Sequence, residues 1–126
     1  MVKREARSNT VLNQYLREAR LYCFYELKQA GKGDIFRFNS IEKVQWDGLQ
    51  ATEKNGLVWK LSDETSRPKP CDGFSIPPLP SYLAIKFQDE FVLIRFEKIV
   101  RLKEAGVFSL IKDSAEEISD RIIQLK

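Results

Sequence analysis

The chain has 126 residues, of which 43% are hydrophobic, and its 21 Lys and Arg against 18 Asp and Glu give a net charge of +3. This length and composition suit one compact domain over residues 1–126 and are short for two. The chain contains no histidine, which excludes Ser-His-Asp triads, histidine acid–base catalysis and imidazole zinc sites. A charge of +3 permits a nucleic-acid partner without requiring one.

Cysteine content and apolar runs bear on where the protein works. The two cysteines, Cys23 and Cys71, have no CxxC spacing, and we expect reduced core thiols, as in a cytosolic protein. The amino terminus lacks the residue order of a signal peptide, and no apolar run approaches the roughly 20 residues of a membrane span. A soluble, cytoplasmic protein with no membrane partner is therefore expected.

The amino-terminal segment predicts a helix followed by a strand. N-cap candidates at residues 8–10 precede an apolar stripe at helical spacing, which predicts a helix over residues 10–19. The aromatic and apolar density of Leu21–Leu27 favours a strand. One long helix continuing to Gly31 is the alternative for the same residues.

A turn, a second helix and another strand are predicted next. Residues 31–34 form a turn, and a short extended piece follows it. Ser40 is predicted to open a helix that stops at Asn55-Gly56, and Leu57–Leu61 is a short strand. The residues of this helix that are predicted to face inward are Ile41, Val44 and Leu49.

The central segment combines a loop, a connector and a hairpin. Residues 62–74 are too polar and too broken by proline for a regular element, and long loops of this kind are more often functional than decorative. Ile76–Pro80 is a rigid connector, with a polyproline ligand as the alternative. Tyr82–Phe87 and Phe91–Phe96 predict a β-hairpin. Residues 97–105 either extend its second strand or form a short helix.

The carboxyl-terminal segment predicts a last helix. Ser114 and Glu117 have the spacing of a capping box. The apolar stripe predicted for this helix consists of Ala115, Ile118, Ile122 and Leu125. The order helix, strand, helix, strand, hairpin, helix predicts an α/β (α+β) fold, with a small mixed sheet flanked by helices.

Glu26 and Lys28 are the residues with the clearest chemical potential. If residues 21–28 are a strand, alternation places the carboxylate and the ammonium group on one face. Without histidine, phosphodiester hydrolysis is solved by carboxylates that hold Mg²⁺, which polarises the phosphate and lowers the pKa of a bound water. A lysine beside the metal orients that water or neutralises charge that develops on the phosphate.

These residues give the chain a resemblance to the PD-(D/E)XK nuclease superfamily. Glu26-Leu27-Lys28 resembles the E-x-K strand of the small, phage-type Holliday junction resolvases, and Gln45 lies on the following helix, as the family's glutamine does. The resemblance covers roughly residues 10–96. It implies a restriction-endonuclease-like fold and a metal-dependent DNA endonuclease in which Glu26, Lys28 and Gln45 are catalytic and Mg²⁺ or Mn²⁺ is the cofactor.

The family also supplies an aspartate on the strand before E-x-K, and residues 1–25 contain no aspartate. Asp72, within the Lys69–Gly73 turn, is the best candidate, so the resemblance implies Glu26 and Asp72 as metal ligands. In a second registration Asp72 is the P-D-like aspartate and Lys86 is the strand lysine. That registration places Ala84 where the family has its acidic residue.

The resemblance also implies partners. Arg67 and Lys69, beside Asp72, are predicted to bind the phosphates of DNA. The DNA is expected to be branched, and because a junction has two strands to cut, a homodimer is implied. Two other functions remain open for the same sequence. One is a nuclease-like protein that binds nucleic acid without cutting it, and the other is a small protein-interaction module.

Overall fold

The computed structural model describes residues 2–63 and 68–125, with side chains described from residue 7 onward. The predicted mixed α+β class is confirmed, because helices and strands both recur along the chain. Among the described residues the helices are α1 (Val2–Glu18), α2 (Lys43–Asn55), α3 (Phe96–Glu104) and α4 (Lys112–Ile118). The strands are β1 (Phe24–Gln29), β2 (Ile35–Arg37), β3 (Leu57–Lys60), β4 (Gly73–Ile76), β5 (Ser81–Lys86), β6 (Glu90–Arg95), β7 (Ser109–Ile111) and β8 (Arg121–Gln124).

The main sheet has four strands in the order β1-β5-β6-β8. β1 runs parallel to β5, whereas β5 with β6 and β6 with β8 are antiparallel. A parallel pair needs a long crossover, and the crossover between β1 and β5 contains α2 and a small β3–β4 hairpin. β2 pairs with β7 in a further two-stranded ladder. β1 is therefore an edge strand of the main sheet.

The core lies on both faces of the main sheet, because β5 and β6 are buried at almost every position. One face packs against α1, with Leu12 and Leu16 of that helix against Ala84 and Leu93. The other face packs against α2, α3 and α4. The core residues on that second face include Leu49, Leu83, Ile85, Val92, Ile94, Phe96, Ile99 and Ala115.

The start of the chain confirms the strand prediction over the long-helix alternative. α1 extends further back than predicted and ends at Glu18. Arg20 has a φ of 54°, a left-handed conformation that cannot continue a right-handed helix. The Leu21 N–H donates to the Leu16 carbonyl at 2.9 Å, which closes the helix end. β1 then begins at Phe24, three residues later than the predicted start.

The second helix is confirmed, but its start was placed too early. Ser40 lies in a short 3-10 turn, where its Oγ donates to the Arg37 carbonyl at 2.7 Å. α2 begins at Lys43, and this shift places Val44 outside the core with 72% of its surface exposed, so the prediction that it faces inward was wrong. Leu49 is buried as predicted, and the helix stops at Asn55 before Gly56.

The end of the chain differs most from the prediction. The β5–β6 hairpin is confirmed, and residues 96–104 form α3. The capping box and long final helix were wrong: α4 spans residues 112–118, and no side chain caps it. Ile122 lies on β8 instead, which completes the edge of β6 through ladder hydrogen bonds. The strand conformation is favoured over a longer helix because it pairs the backbone groups of β6 and β8 and buries Ile123.

Cysteine placement also departs from the sequence expectation. Cys23 is half-buried, and burial raises the pKa of its thiol. Cys71 is exposed, so the prediction of a core thiol was wrong for this residue, because it lies in the turn before β4 and not on a packed strand. Within the described part of the chain, no helix combines the length and the apolar character needed to cross a membrane.

Candidate functional site

The Glu26–Lys28 pair lies on β1, at the edge of the main sheet. Strand alternation holds: Leu27 is buried against the α1 side, while Glu26 and Lys28 are half-buried on the other face. In the parallel register Glu26 lies beside Leu83, and Lys28 lies beside Ile85. Both neighbours belong to the core that α2 covers. The carboxylate and the ammonium group therefore project on the same side of one strand, as the spacing predicts.

The opposite face of β1 is apolar and closed. The Tyr25 hydroxyl donates to Asn9 Oδ1 of α1 at 3.0 Å. Burial, followed by the nearby Cys23 and Glu26 charges, raises the pKa of Tyr25. The phenol consequently stays protonated at neutral pH and acts as a structural donor. Any polar chemistry on β1 belongs to the Glu26 side.

Gln45 lies in the first turn of α2, the helix that contacts both β1 and β5. Its Oε1 accepts the Glu42 backbone N–H at 3.1 Å. In return, the Glu42 side chain accepts a backbone N–H of the first helical turn. This reciprocal pair is a capping box. The structure thus gives Gln45 a role in starting the helix, on the same face of the sheet as Glu26 and Lys28.

Asp72 lies on a separate element, the turn that leads into β4. β3 and β4 form a two-stranded hairpin, and the first two residues of β4, Gly73 and Phe74, fall within the stretch predicted to have no regular structure. The Leu61 N–H donates to the Asp72 carbonyl at 2.7 Å, which holds the turn. A Cβ on Gly73 would lie 2.3 Å from the Trp59 carbonyl oxygen. Glycine is therefore required directly after Asp72 for the two strands to pair.

The Asp72 carboxylate is almost fully exposed, at 94%, and is bound by Lys69 at 3.1 Å. Lys69 also contacts Asp63, so two carboxylates surround one ammonium group. Exposed ion pairs of this kind contribute only about 0–1 kcal/mol. Lys69 is therefore neutralised, which is not the state expected of a phosphate-binding residue. Arg67, the other predicted phosphate contact, lies outside the described residues.

The two predicted metal ligands lie on different sheets. Glu26 is on the main sheet, whereas Asp72 is on the β3–β4 hairpin. The hairpin adjoins β1 on its Tyr25 face, because Ile76 at the end of β4 lines a groove together with Tyr22 and Tyr25. Glu26 projects from the other face of β1. In the described part of the chain, no group of three or more Asp, Glu or Cys side chains is arranged to hold a metal. Mg²⁺ is usually bound by one or two carboxylates and several waters, so Glu26 and Asp72 are suitable donor types, but the hairpin meets β1 on the face opposite Glu26.

The second registration has less support from its surroundings. Lys86 ends β5 and lies beside Gln29 of β1 in the register. Ala84, two residues earlier, is completely buried between α1 and the sheet. No carboxylate therefore accompanies Lys86 on its own strand at the position where the family's pattern has one.

One buried acid had no clear sequence signal. Glu90 begins β6 with only 2% of its surface exposed. Its Oε1 accepts a hydrogen bond from Gln124 at 3.2 Å, whereas its Oε2 has no hydrogen-bond partner among the described residues. Burial, followed by the neighbouring Glu116 carboxyl group, raises the pKa of Glu90. The sequence places this residue in a turn, and only the packing of α4 and β8 against β6 buries it.

No family model, curated protein or solved structure matches this chain. The resemblance to the nuclease superfamily consequently rests on Glu26, Lys28, Gln45 and Asp72 themselves.

Proposed function

We propose that this protein is a metal-dependent endonuclease that acts on DNA, in the manner of a Holliday junction resolvase. The observation that carries this proposal is the projection of Glu26 and Lys28 from one face of the edge strand β1. An edge strand leaves one side without a ladder neighbour, which allows a bulky polymer to approach. Neither side chain is deeply buried, so both are partly accessible from solvent.

Each residue has a separate task in this proposal. Glu26, and Asp72 once the hairpin brings it to the Glu26 side, would hold Mg²⁺ or Mn²⁺, and the ion would polarise the phosphate and lower the pKa of a water. Lys28, beside Glu26, neutralises charge that develops on the phosphate oxygens. Gln45 orders the first turn of α2 and thereby keeps that helix packed beside the pair. A homodimer, with one site for each strand of a junction, follows from the same resemblance.

Asp72 must leave Lys69 before it can bind a cation. The cost is small, because the ion pair is exposed on the carboxylate side and contributes about 0–1 kcal/mol. A divalent ion offers the carboxylate a stronger partner than the ammonium group does. Lys69 keeps Asp63 as a partner after Asp72 is released, so a DNA phosphate must compete with that carboxylate for Lys69.

The direct test is cleavage of a four-way DNA junction and of single-stranded DNA with Mg²⁺ or Mn²⁺. Glu26→Gln and Lys28→Met are each expected to lower the cleavage rate by about 100-fold or more, the usual effect of losing one group that stabilises transition-state charge. Glu104→Gln and Lys54→Met, which change exposed side chains on α3 and α2, are the matched controls. Undiminished cleavage by both Glu26→Gln and Lys28→Met would contradict the catalytic roles assigned to Glu26 and Lys28.

A second candidate is a nuclease-like protein that binds nucleic acid without cutting it. Two observations favour it: Asp72 is held by Lys69, and the described residues contain no cluster of three metal-binding side chains. This candidate predicts a gel shift that weakens steeply with salt, since phosphate contacts release counterions. No product should then form with any divalent ion. Cleavage that depends on Glu26 would exclude it.

A further inference from the structure

Two adjoining clefts lie beyond the carboxyl end of β1, and both are rich in cations. The first is lined by Gln29, Lys32 and Arg37, and the second by Arg37, Lys103 and Phe108. Each has a volume of about 360 Å³, and they share Arg37 and Asn39. We term these two adjoining clefts together the basic groove. Gln29 follows Lys28 directly, so the groove starts where the candidate catalytic strand ends.

The walls of the basic groove are held by backbone bonds. Arg37 of β2 pairs with Ser109 of β7 in an antiparallel ladder. The Phe38 N–H donates to the Phe108 carbonyl at 2.9 Å, which joins the 3-10 turn to the segment before β7. These bonds bring together residues that lie about 70 positions apart in the sequence. The part of the groove around Arg37 and Phe108 is therefore held by the fold, whereas Lys32 lies in the turn before β2.

The charges of the groove are not compensated within the described part of the chain. Lys32, Arg37 and Lys103 are exposed, and none has a carboxylate within ion-pair distance. Lys103 instead lies over the Trp46 ring, 4.4 Å from its centre. Among the described residues, no acidic side chain lines either cleft. Lys69 by contrast has two carboxylates around it.

Phe108 adds an aromatic surface at the far end. Its side chain is 62% exposed, although a phenyl ring gains most from burial. An exposed ring beside cations is the arrangement by which proteins bind single-stranded nucleic acid, because the cations contact phosphates and the ring stacks on an unpaired base. A base within a duplex is already stacked and has no face to offer.

We infer that the basic groove binds a single strand of nucleic acid, with its phosphates on Lys32, Arg37 and Lys103 and one base on Phe108. The choice of DNA as the ligand rests on the proposed endonuclease activity. The groove deepens that proposal, because it names the surface that would lead one unpaired strand of a branched DNA to Glu26 and Lys28.

The test is fluorescence anisotropy with a labelled oligo(dT) of about 15 nucleotides, a length that covers one binding site of this type. EDTA is present, so cleavage is not involved, and the salt is about 50 mM, where phosphate contacts are strong. The double variant Arg37→Ala/Lys103→Ala is compared with Arg7→Ala/Lys54→Ala. Both remove one arginine and one lysine from exposed positions.

The groove variant is expected to bind about 100-fold more weakly than wild type, roughly tenfold for each lost charged contact. Its plot of log affinity against log salt should be shallower by about 1.4, the share of two phosphate contacts on a single strand. The matched control should bind within about twofold of wild type, since only nonspecific charge has changed. Equal melting temperatures of the variants and the wild type would exclude misfolding. The variant Lys32→Ala/Arg37→Ala repeats the test while leaving the contact between Lys103 and Trp46 intact.

The stacking contact has its own pair of variants. Phe108→Ala should weaken binding by about fivefold or more, while Phe74→Ala, at an exposed aromatic on the hairpin, should not. Loss of binding in Phe74→Ala alone would place the strand on the hairpin and overturn the inference. A poly-glutamate that competes as well as unlabelled oligo(dT) would also overturn it. The site would then bind any polyanion and would not select nucleic acid.

The two proposals fail in different ways. A wild-type protein that binds oligo(dT) through the groove but never cuts DNA would contradict the endonuclease proposal and leave the groove intact. A wild-type protein that cuts DNA, while the groove variant binds and cuts as well as the matched control, would overturn the groove alone.

Discussion

The main sheet and the β3–β4 hairpin contain similar residues but have opposite surroundings. β5 and β6 are aliphatic and aromatic, and helices cover both of their faces. In the hairpin, Val58 is 79% exposed and Trp59 is 57% exposed. Apolar composition favours a strand in both cases, but burial requires a second layer. The sheet therefore supplies the stability of the fold, while the hairpin presents Asp72, Lys69 and an aromatic surface to solvent.

The largest expected effect comes from the sheet. Leu93 of β6 is completely buried, so Leu93→Ala should lower the free energy of unfolding by about 2–5 kcal/mol through lost burial and a residual cavity. Val58→Ala on the hairpin should change it by no more than about 0.5 kcal/mol. Urea denaturation followed by circular dichroism measures both values. Similar losses in the two variants would contradict the contrast between sheet and hairpin.

A smaller effect is expected at the junction between α2 and the hairpin. Gly56 has a φ of 75°, and a Cβ there would lie 2.2 Å from the Ile76 carbonyl oxygen. Gly56→Ala should therefore cost roughly 1–3 kcal/mol, which a lower midpoint of urea denaturation would show. Gly48 lies within α2 with open space around it, so Gly48→Ala should instead stabilise by about 0.5–1 kcal/mol. A Gly56→Ala protein as stable as wild type would disprove the close approach.

The sheet side also has a pH-dependent element in Glu90. Its pKa is raised in the folded protein, so the carboxyl group prefers to be protonated there. Stability from this preference is complete below the ordinary pKa near 4.5 and is lost as the pH rises through the folded-state pKa. Glu90→Gln should raise the free energy of unfolding at pH 7 by about 1 kcal/mol, because a neutral amide carries no charge that burial disfavours.

Melting temperatures between about pH 4 and pH 8 measure this effect, since the two proteins should differ only above the ordinary carboxyl pKa. Glu97→Gln, at an exposed residue of α3, is the matched control. A constant difference between wild type and Glu90→Gln across this pH range would contradict the assignment.

The smallest effect belongs to the hairpin. A double-mutant cycle with Lys69→Met and Asp72→Asn should give a coupling energy of about 0–1 kcal/mol, because the Asp72 end of the pair is open to solvent. Thermal unfolding of the wild type, the two single variants and the double variant, with and without Mg²⁺, measures this coupling energy. A coupling well above 1 kcal/mol would mean that Asp72 is not readily released to a cation.

Local patterns predicted the elements whose structure is decided locally. The β5–β6 hairpin is visible as two apolar runs around residues 88–90, and the end of α2 is visible as Asn55-Gly56. Predictions failed where a distant partner decided the outcome. β4 forms because Gly73 allows close pairing with β3. Ile122 joins a strand because the edge of β6 is open to it.

The candidate site shows the same division. Alternation along one strand is enough to place Glu26 and Lys28 on one face. The position of Asp72 relative to that strand depends on how the hairpin packs. Gln45 acts in a helix cap that its sequence spacing from Glu42 already permits. The basic groove could not be predicted, because Arg37 and Lys103 line one cleft only in the folded chain, where the β2–β7 ladder and the Phe38–Phe108 bond join distant segments.

By itself the sequence determined the mixed α+β class, the buried hairpin and the exclusion of histidine chemistry. Residue type and short-range periodicity are sufficient for each of these. Only the tertiary structure decided that Asp72 pairs with Lys69, that Glu90 is buried and that three cations share one groove. Burial and electrostatic compensation depend on the neighbours that each side chain acquires, and these neighbours come from distant parts of the chain.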